Sequence, residues 1–241
     1  MAIWQQELPS GVILTHTTTR AEGDFAIDGE PVALAERRRA VADHPWVWLR
    51  QVHGADVVVA TVENAAEVAG TEADAVVTAA ADLVLAIQTA DCVPITFWCD
   101  QGVVGAAHAG WRGLEAGVVE RTLEAMWALG AGVIHARTGP CIEGACYEFG
   151  PAELDRLAQR FGDTVRVTTA DGHPALDLLA VTDAAVVDTR RPPWPVSLHA
   201  GGSCTACDAD RWFSHRARAD AGRMATVVWR ESSYERAMAA R

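Results

Sequence analysis

Short apolar runs rich in β-branched residues recur along the whole chain, and nothing else in the sequence constrains its fold as strongly. They lie at 46–49, 57–60, 75–78, 83–87, 95–98, 103–107, 133–136, 165–168, 196–199 and 225–229. Each is short and apolar, which predicts buried strands rather than helices. Helical patterns lie between them. Over 114–129, Leu114, Val118, Val119, Leu123, Met126 and Trp127 are linked by steps of three and four, and Glu115, Glu120, Arg121 and Glu124 take other positions, so the segment reads as an amphipathic helix. A second helix is expected over 151–160, opening with Pro151, whose missing N–H costs nothing there. A third is expected over 175–188. Strands with interspersed helices predict an α+β fold, one domain of mixed β-sheets flanked by helices in a layered α/β sandwich. The sharpest break, Arg190 to Pro195, is too short to separate domains, so residues 1–241 are expected to form one domain.

At 241 residues and 50% hydrophobic, the chain can build a sizeable core, and 22% charged residues set it apart from disordered sequences. Its formal charge of −12 should repel nucleic acid and anionic membrane surfaces. Every positive residue is Arg; the absence of Lys excludes Schiff-base lysine chemistry and the P-loop. The polar start, with Gln5, Gln6 and Glu7, does not read as a signal peptide, and no apolar run has the length of a membrane span. Six Cys without such a signal point to reduced thiols and a cytoplasmic location. The pair Cys204 and Cys207 has the spacing of zinc or redox motifs but no second pair, and a structural thiol pair is the plainer reading.

Three residues interrupt the apolar pattern at strand ends: His53 in Gln51-Val-His53-Gly54, Cys92 in Thr89-Ala-Asp91-Cys92, and His108 in His108-Ala-Gly110-Trp-Arg112-Gly113. Two His and one Cys make a three-ligand set that leaves zinc a fourth position for water. Each is equally readable as an ordinary strand-end residue. The glycines Gly110 and Gly113 around Trp111-Arg112, between a strand and a helix, present backbone N–H groups to an anion. Arg112 can add a bidentate contact, or instead pair with Glu115.

These three blocks resemble, in order, the signature blocks of one bacterial family. It has been labelled multicopper polyphenol oxidoreductase or laccase-domain protein, and more recently purine nucleoside phosphorylase with adenosine deaminase activity. Further matches are Gly139-Pro-Cys-Ile142, Cys146-Tyr-Glu-Phe-Gly150, Cys204-Thr205, Phe213-Ser214 with Arg216, and Gly222-Arg223-Met224. The resemblance implies zinc held by His53, Cys92 and His108, nucleoside and phosphate as small-molecule substrates, and phosphate or substrate binding by Arg112 and Arg20. Zinc would lower the pKa of bound water for deamination, with Asp91 as proton carrier or else as a turn residue. The sequence departs from the family near its start, where Thr19-Arg20 is followed by Ala21-Glu22-Gly23-Asp24, one glycine short of the usual loop, and Arg37-Arg38 stands for the usual Asn-Arg.

Two other activities are open. Copper is an alternative occupant, since Cu(II) outcompetes zinc by affinity, and a copper-dependent polyphenol oxidoreductase would follow from the older label. However, no two of the eight His are spaced as His-x-His, so a trinuclear cluster is hard to assemble. A cysteine hydrolase would use Cys92 as nucleophile and His108 as base. Among the remaining residues, Trp111 can stack on a purine, and Cys146 reads as a buried thiol or a pocket residue.

Overall fold

The alternation of side chains along one strand, β6 (Val84–Thr89), sets the layers of the molecule. Val84 and Ala86 pack to one side with Phe25, Leu34 and Trp229, whereas Leu85 and Ile87 pack to the other with Val76, Trp98, Val104 and Ala106. A computed structural model describes residues 3–188, 196–199 and 201–232. In it β6 belongs to a five-stranded sheet of order β1-β2-β13-β6-β3, in which β1 is Trp4–Leu8, β2 Gly11–Thr17, β3 Trp46–Trp48 and β13 Met224–Glu231. Facing it is a six-stranded sheet of order β12-β9-β7-β8-β5-β4. Its strands are β4 (Val57–Val59), β5 (Ala75–Thr78), β7 (Val93–Cys99), β8 (Val104–Ala109), β9 (Ile134–Thr138) and β12 (Val196–His199). A small hairpin joins β10 (Arg166–Thr168) to β11 (Pro174–Leu176).

Helix α1 (Pro31–Val41) covers the outer face of the first sheet through Leu34 and Val41. The outer face of the second, with Val77, Ile95, Phe97 and Ala107, is covered by α3 (Trp111–Ala116), α4 (Val118–Ala128), α5 (Pro151–Phe161) and α6 (Leu178–Asp188). Short helices α2 (Ala65–Val68) and α7 (His215–Arg218) lie in connections. The result is the expected α+β sandwich, with layers in the order helix, sheet, sheet, helix. No helix among the described residues is long and apolar enough to cross a membrane.

All the apolar runs read as strands form strands. The expected helix over 114–129 is two helices, because Gly117 sits at φ 92°, closing α3 and opening α4. The expected helix over 175–188 begins later. Ala175 and Leu176 pair with β10, and Asp177 then caps α6 by accepting hydrogen bonds from the Leu179 and Ala180 N–H groups, both 3.0 Å. Strands β1 and β2 and helix α1 have no counterpart in the sequence reading. The segment Arg190 to Pro195 lies, with residue 189, outside the described residues.

Candidate metal centre and cleft

The chain crosses from one sheet to the other between β6 and β7, and that crossing carries Asp91 and Cys92. His108 is the next-to-last residue of β8, on the face shared with Val104 and Ala106, so it points between the sheets at the same end. His53 arrives from the loop between β3 and β4. The structure brings these three side chains together, their ligand atoms lying within 4.8 Å of one another. Cys92 Sγ is 3.9 Å from His53 Nε2, and the two imidazoles meet edge to face at 4.8 Å.

Asp74, absent from the sequence reading, organises the group. It is fully buried just before β5, and its carboxylate accepts hydrogen bonds from the N–H groups of Val52 (3.2 Å), His53 (2.9 Å) and Gly54 (2.7 Å). These bonds hold His53 at φ 60°, a left-handed conformation that a side chain rarely adopts. Asp74 Oδ1 also lies 2.8 Å from His108 Nδ1. A carboxylate can only accept, so Nδ1 carries a proton, and Nε2, once its own proton is displaced by a metal, is the nitrogen that faces the centre, the orientation carboxylate–histidine pairs give to metal ligands.

The electrostatics follow. Burial alone would raise the Cys92 thiol, but His108 and His53 outweigh it and lower it to about 6. Burial would likewise lower His108, but the Cys92 thiolate and Asp74 raise it to about 9. Without metal this is a thiolate–imidazolium arrangement; with metal, the same atoms are two nitrogen donors and one sulfur.

These residues form the floor of a cleft of roughly 550 Å³. Gly110 is required by close approach, because a Cβ there would lie 2.8 Å from His53 Cδ2 and 3.1 Å from Cys92 Sγ. A Cβ on Gly113 would lie 2.9 Å from the Gly54 carbonyl oxygen. Arg112 lines the cleft with its guanidinium 4.3 Å over the Trp111 ring. It makes no ion pair among the described residues; Glu115 instead pairs with Arg156 at 3.0 Å. Asp91 is at φ 109°, and both its oxygens are engaged, Oδ1 by the Thr205 hydroxyl (2.6 Å) and Oδ2 by the Arg216 N–H (2.7 Å). Both contacts are of the kind a turn residue makes, and Asp91 also lines the cleft. Arg20 does not line this cleft: it pairs with Asp220 at 2.8 Å and stacks on Phe213 at 4.4 Å.

Further residues complete the walls. The Gln51 side chain clasps the Gln88 backbone, its Nε2 donating to the carbonyl and its Oε1 accepting from the N–H, both 2.8 Å, which ties the His53 loop to the end of β6. Gln88 Oε1 and Thr89 Oγ1 are buried without a partner among the described residues, and both residues line the cleft. Tyr147 also lines it, its hydroxyl pushed up to about 12 chiefly by burial, with Cys92 adding to it, so it remains a donor. Gln88 and Thr89 end an apolar strand run with two polar side chains, a signal the sequence carried. Asp74 offered a similar one, a charge directly ahead of the run 75–78.

The chain is similar to known proteins over most of its length. The chain is 39% identical over 214 residues to a purine nucleoside phosphorylase of Streptomyces griseus, covering 85% of this chain and 84% of that one. It is 36% identical over 235 residues to a purine nucleoside phosphorylase of Mycobacterium tuberculosis, covering 89% and 91%. Its fold matches the crystal structure of YlmD from Geobacillus stearothermophilus with a TM-score of 0.79 and 27% identity, over 96% of this chain and 100% of that one. A Neisseria meningitidis protein of solved structure matches equally well, with a TM-score of 0.79 and 28% identity over 96% and 100%. The family model described as multi-copper polyphenol oxidoreductase laccase matches residues 23–231, and this chain belongs to that family.

Proposed function

We propose that this chain is a zinc-dependent purine nucleoside enzyme that phosphorolyses adenosine, inosine and methylthioadenosine and deaminates adenosine, with residues 1–241 acting as one catalytic domain in the cytoplasm. The observation that carries the reading is the His53–Cys92–His108 set, backed by Asp74, on the floor of a cleft with room for a nucleoside. The names of the Streptomyces and Mycobacterium relatives support the substrate class. The donor set fits zinc: two imidazoles and a thiolate of suitable softness, one imidazole fixed in the metal-binding tautomer, and an open side toward the cleft.

Bound there, zinc would supply Lewis acidity and lower the pKa of a water. The chain's own residues do the rest. Arg112 at the cleft wall holds hydrogen phosphate, so that a phosphate oxygen attacks C1′ of the ribose while the C1′–N9 bond breaks and the purine leaves with the proton that the phosphate gives up. Trp111 offers a ring face to the base. The orphaned Gln88 Oε1 accepts a hydrogen bond from a nucleoside N–H or O–H, and Thr89 Oγ1 can donate or accept one. In deamination, water adds at C6 of adenosine and ammonia departs.

A second reading has its own observation. Cys92, His108 and Asp74 also form a nucleophile, base and orienting carboxylate in sequence, the arrangement of a cysteine hydrolase. A copper oxidase has less support, since the metal-capable groups among the described residues contain no cluster of three His.

A panel of purine nucleosides, assayed with and without phosphate and with zinc loaded or removed, tests the proposal. Inosine should give hypoxanthine and ribose 1-phosphate only with phosphate, and adenosine should give inosine and ammonia without it. Both should stop on zinc removal. No turnover of any purine nucleoside by zinc-loaded protein would contradict the reading, and hydrolysis of an amide or ester surviving zinc removal would favour the cysteine mechanism.

A further inference from the structure

The Cys-x-x-Cys pair has a third member in space. Cys146, in the short 3-10 turn Gly144–Cys146, lies with its sulfur 3.5 Å from that of Cys207, and the ligand atoms of Cys146, Cys204 and Cys207 fall within 4.8 Å of one another. We propose that these three cysteines form a second metal site, separate from His53, Cys92 and His108, that takes a thiophilic zinc-class cation.

The spacing suits one ion. A Zn–S bond of about 2.3 Å in tetrahedral geometry puts neighbouring sulfurs roughly 3.8 Å apart, close to the separation seen. The turn also supports a ligand sulfur: the Glu143 N–H donates to Cys204 Sγ at 3.4 Å. Backbone donors aimed at a ligand atom are the outer-shell support that metal ligands use. Cys204 is buried, Cys146 partly so, and Cys207 exposed, which leaves the cluster open to incoming metal and the fourth position open to water.

The position gives the ion a task. Thr205, between the two cysteines of the pair, donates to Asp91, the neighbour of Cys92. Tyr147, next to Cys146, lines the cleft. A cation held by Cys146, Cys204 and Cys207 therefore clips together two segments that shape the cleft, acting as a brace.

Titration of reduced, metal-free protein with Zn(II) against a chromophoric chelator, under anaerobic conditions, tests this. The unaltered chain should bind two equivalents, Cys207→Ser one, Cys92→Ala one, and the double variant none. Cys146→Ser should repeat the Cys207→Ser result. If the first site does not bind zinc, the unaltered chain should bind one equivalent that Cys207→Ser abolishes and Cys92→Ala leaves intact, so the two assignments fail separately. The second site is overturned if Cys207→Ser and Cys146→Ser both bind as much zinc as the unaltered chain. A Cys146–Cys207 disulfide that persists with zinc in excess, seen as a mass lower by two hydrogens, would overturn it equally.

Discussion

One buried carboxylate, Asp74, holds the His53 loop with three backbone hydrogen bonds and fixes the His108 tautomer with a fourth contact. Asp74→Asn keeps the shape but offers an amide where a carboxylate accepted, so zinc affinity at the centre should fall about 10- to 100-fold. Competitive titration with a chelator measures this, and unchanged affinity would make Asp74 a packing residue only. Arg112 acts on a different group. Only phosphorolysis binds phosphate as a reactant, so Arg112→Ala should lower phosphorolysis by roughly 2–4 kcal/mol of transition-state stabilisation and deamination far less. Parallel rates for inosine with phosphate and adenosine without it decide the matter; equal losses would mean that Arg112 only packs on Trp111. The sequence made His53, Cys92, His108 and Arg112 legible because each stands in a recognisable block beside glycines or a strand end. Asp74 stood out only as a charge ahead of the run 75–78; its role was not legible, because its backbone partners are 20–22 residues away and leave no mark in spacing. Arg20 was legible as a charge in a familiar position, but its engagement by Asp220 depends on a contact 200 residues distant.

At the scale of elements, the glycines around the centre serve close approach and chain reversal. Gly117 divides α3 from α4 with a left-handed backbone, and a Cβ there would meet nothing nearer than 3.5 Å. Gly117→Ala should therefore cost only the conformational term, about 1–2 kcal/mol, lowering Tm by roughly 2–8 °C in a chain of this size. Thermal unfolding followed by circular dichroism checks it; an unchanged Tm would mean that the helices can fuse without strain. The periodicity of 114–129 runs through this glycine, which is why the segment read as one helix. Helix α1 escaped notice for the opposite reason. Its buried residues are only Leu34 and Val41 among a run of arginines, too few to show a stripe, although Pro31 and the capping Glu30 mark its start. Strand β2, buried through most of its length, ends in Thr-His-Thr, which hides its apolar character.

For the molecule as a whole, strand content and layer architecture were legible because burial on both faces demands continuous apolar runs. The order of strands was not, since pairing β13 with β2 joins residues more than 200 apart and no local pattern encodes it. That long-range order is nevertheless what makes the centre, because the crossing from β6 to β7 places Cys92 where β8 delivers His108 and where Asp74 anchors His53. The sandwich core is extensive and lies apart from the metal ligands, so metal should govern activity much more than folding. The most direct test is Cys92→Ala, measured for zinc content and for inosine phosphorolysis and adenosine deamination on the same preparation. The account predicts loss of the zinc equivalent at this centre and of both activities, with Tm only modestly changed. Zinc content equal to that of the unaltered chain together with retained turnover would contradict it.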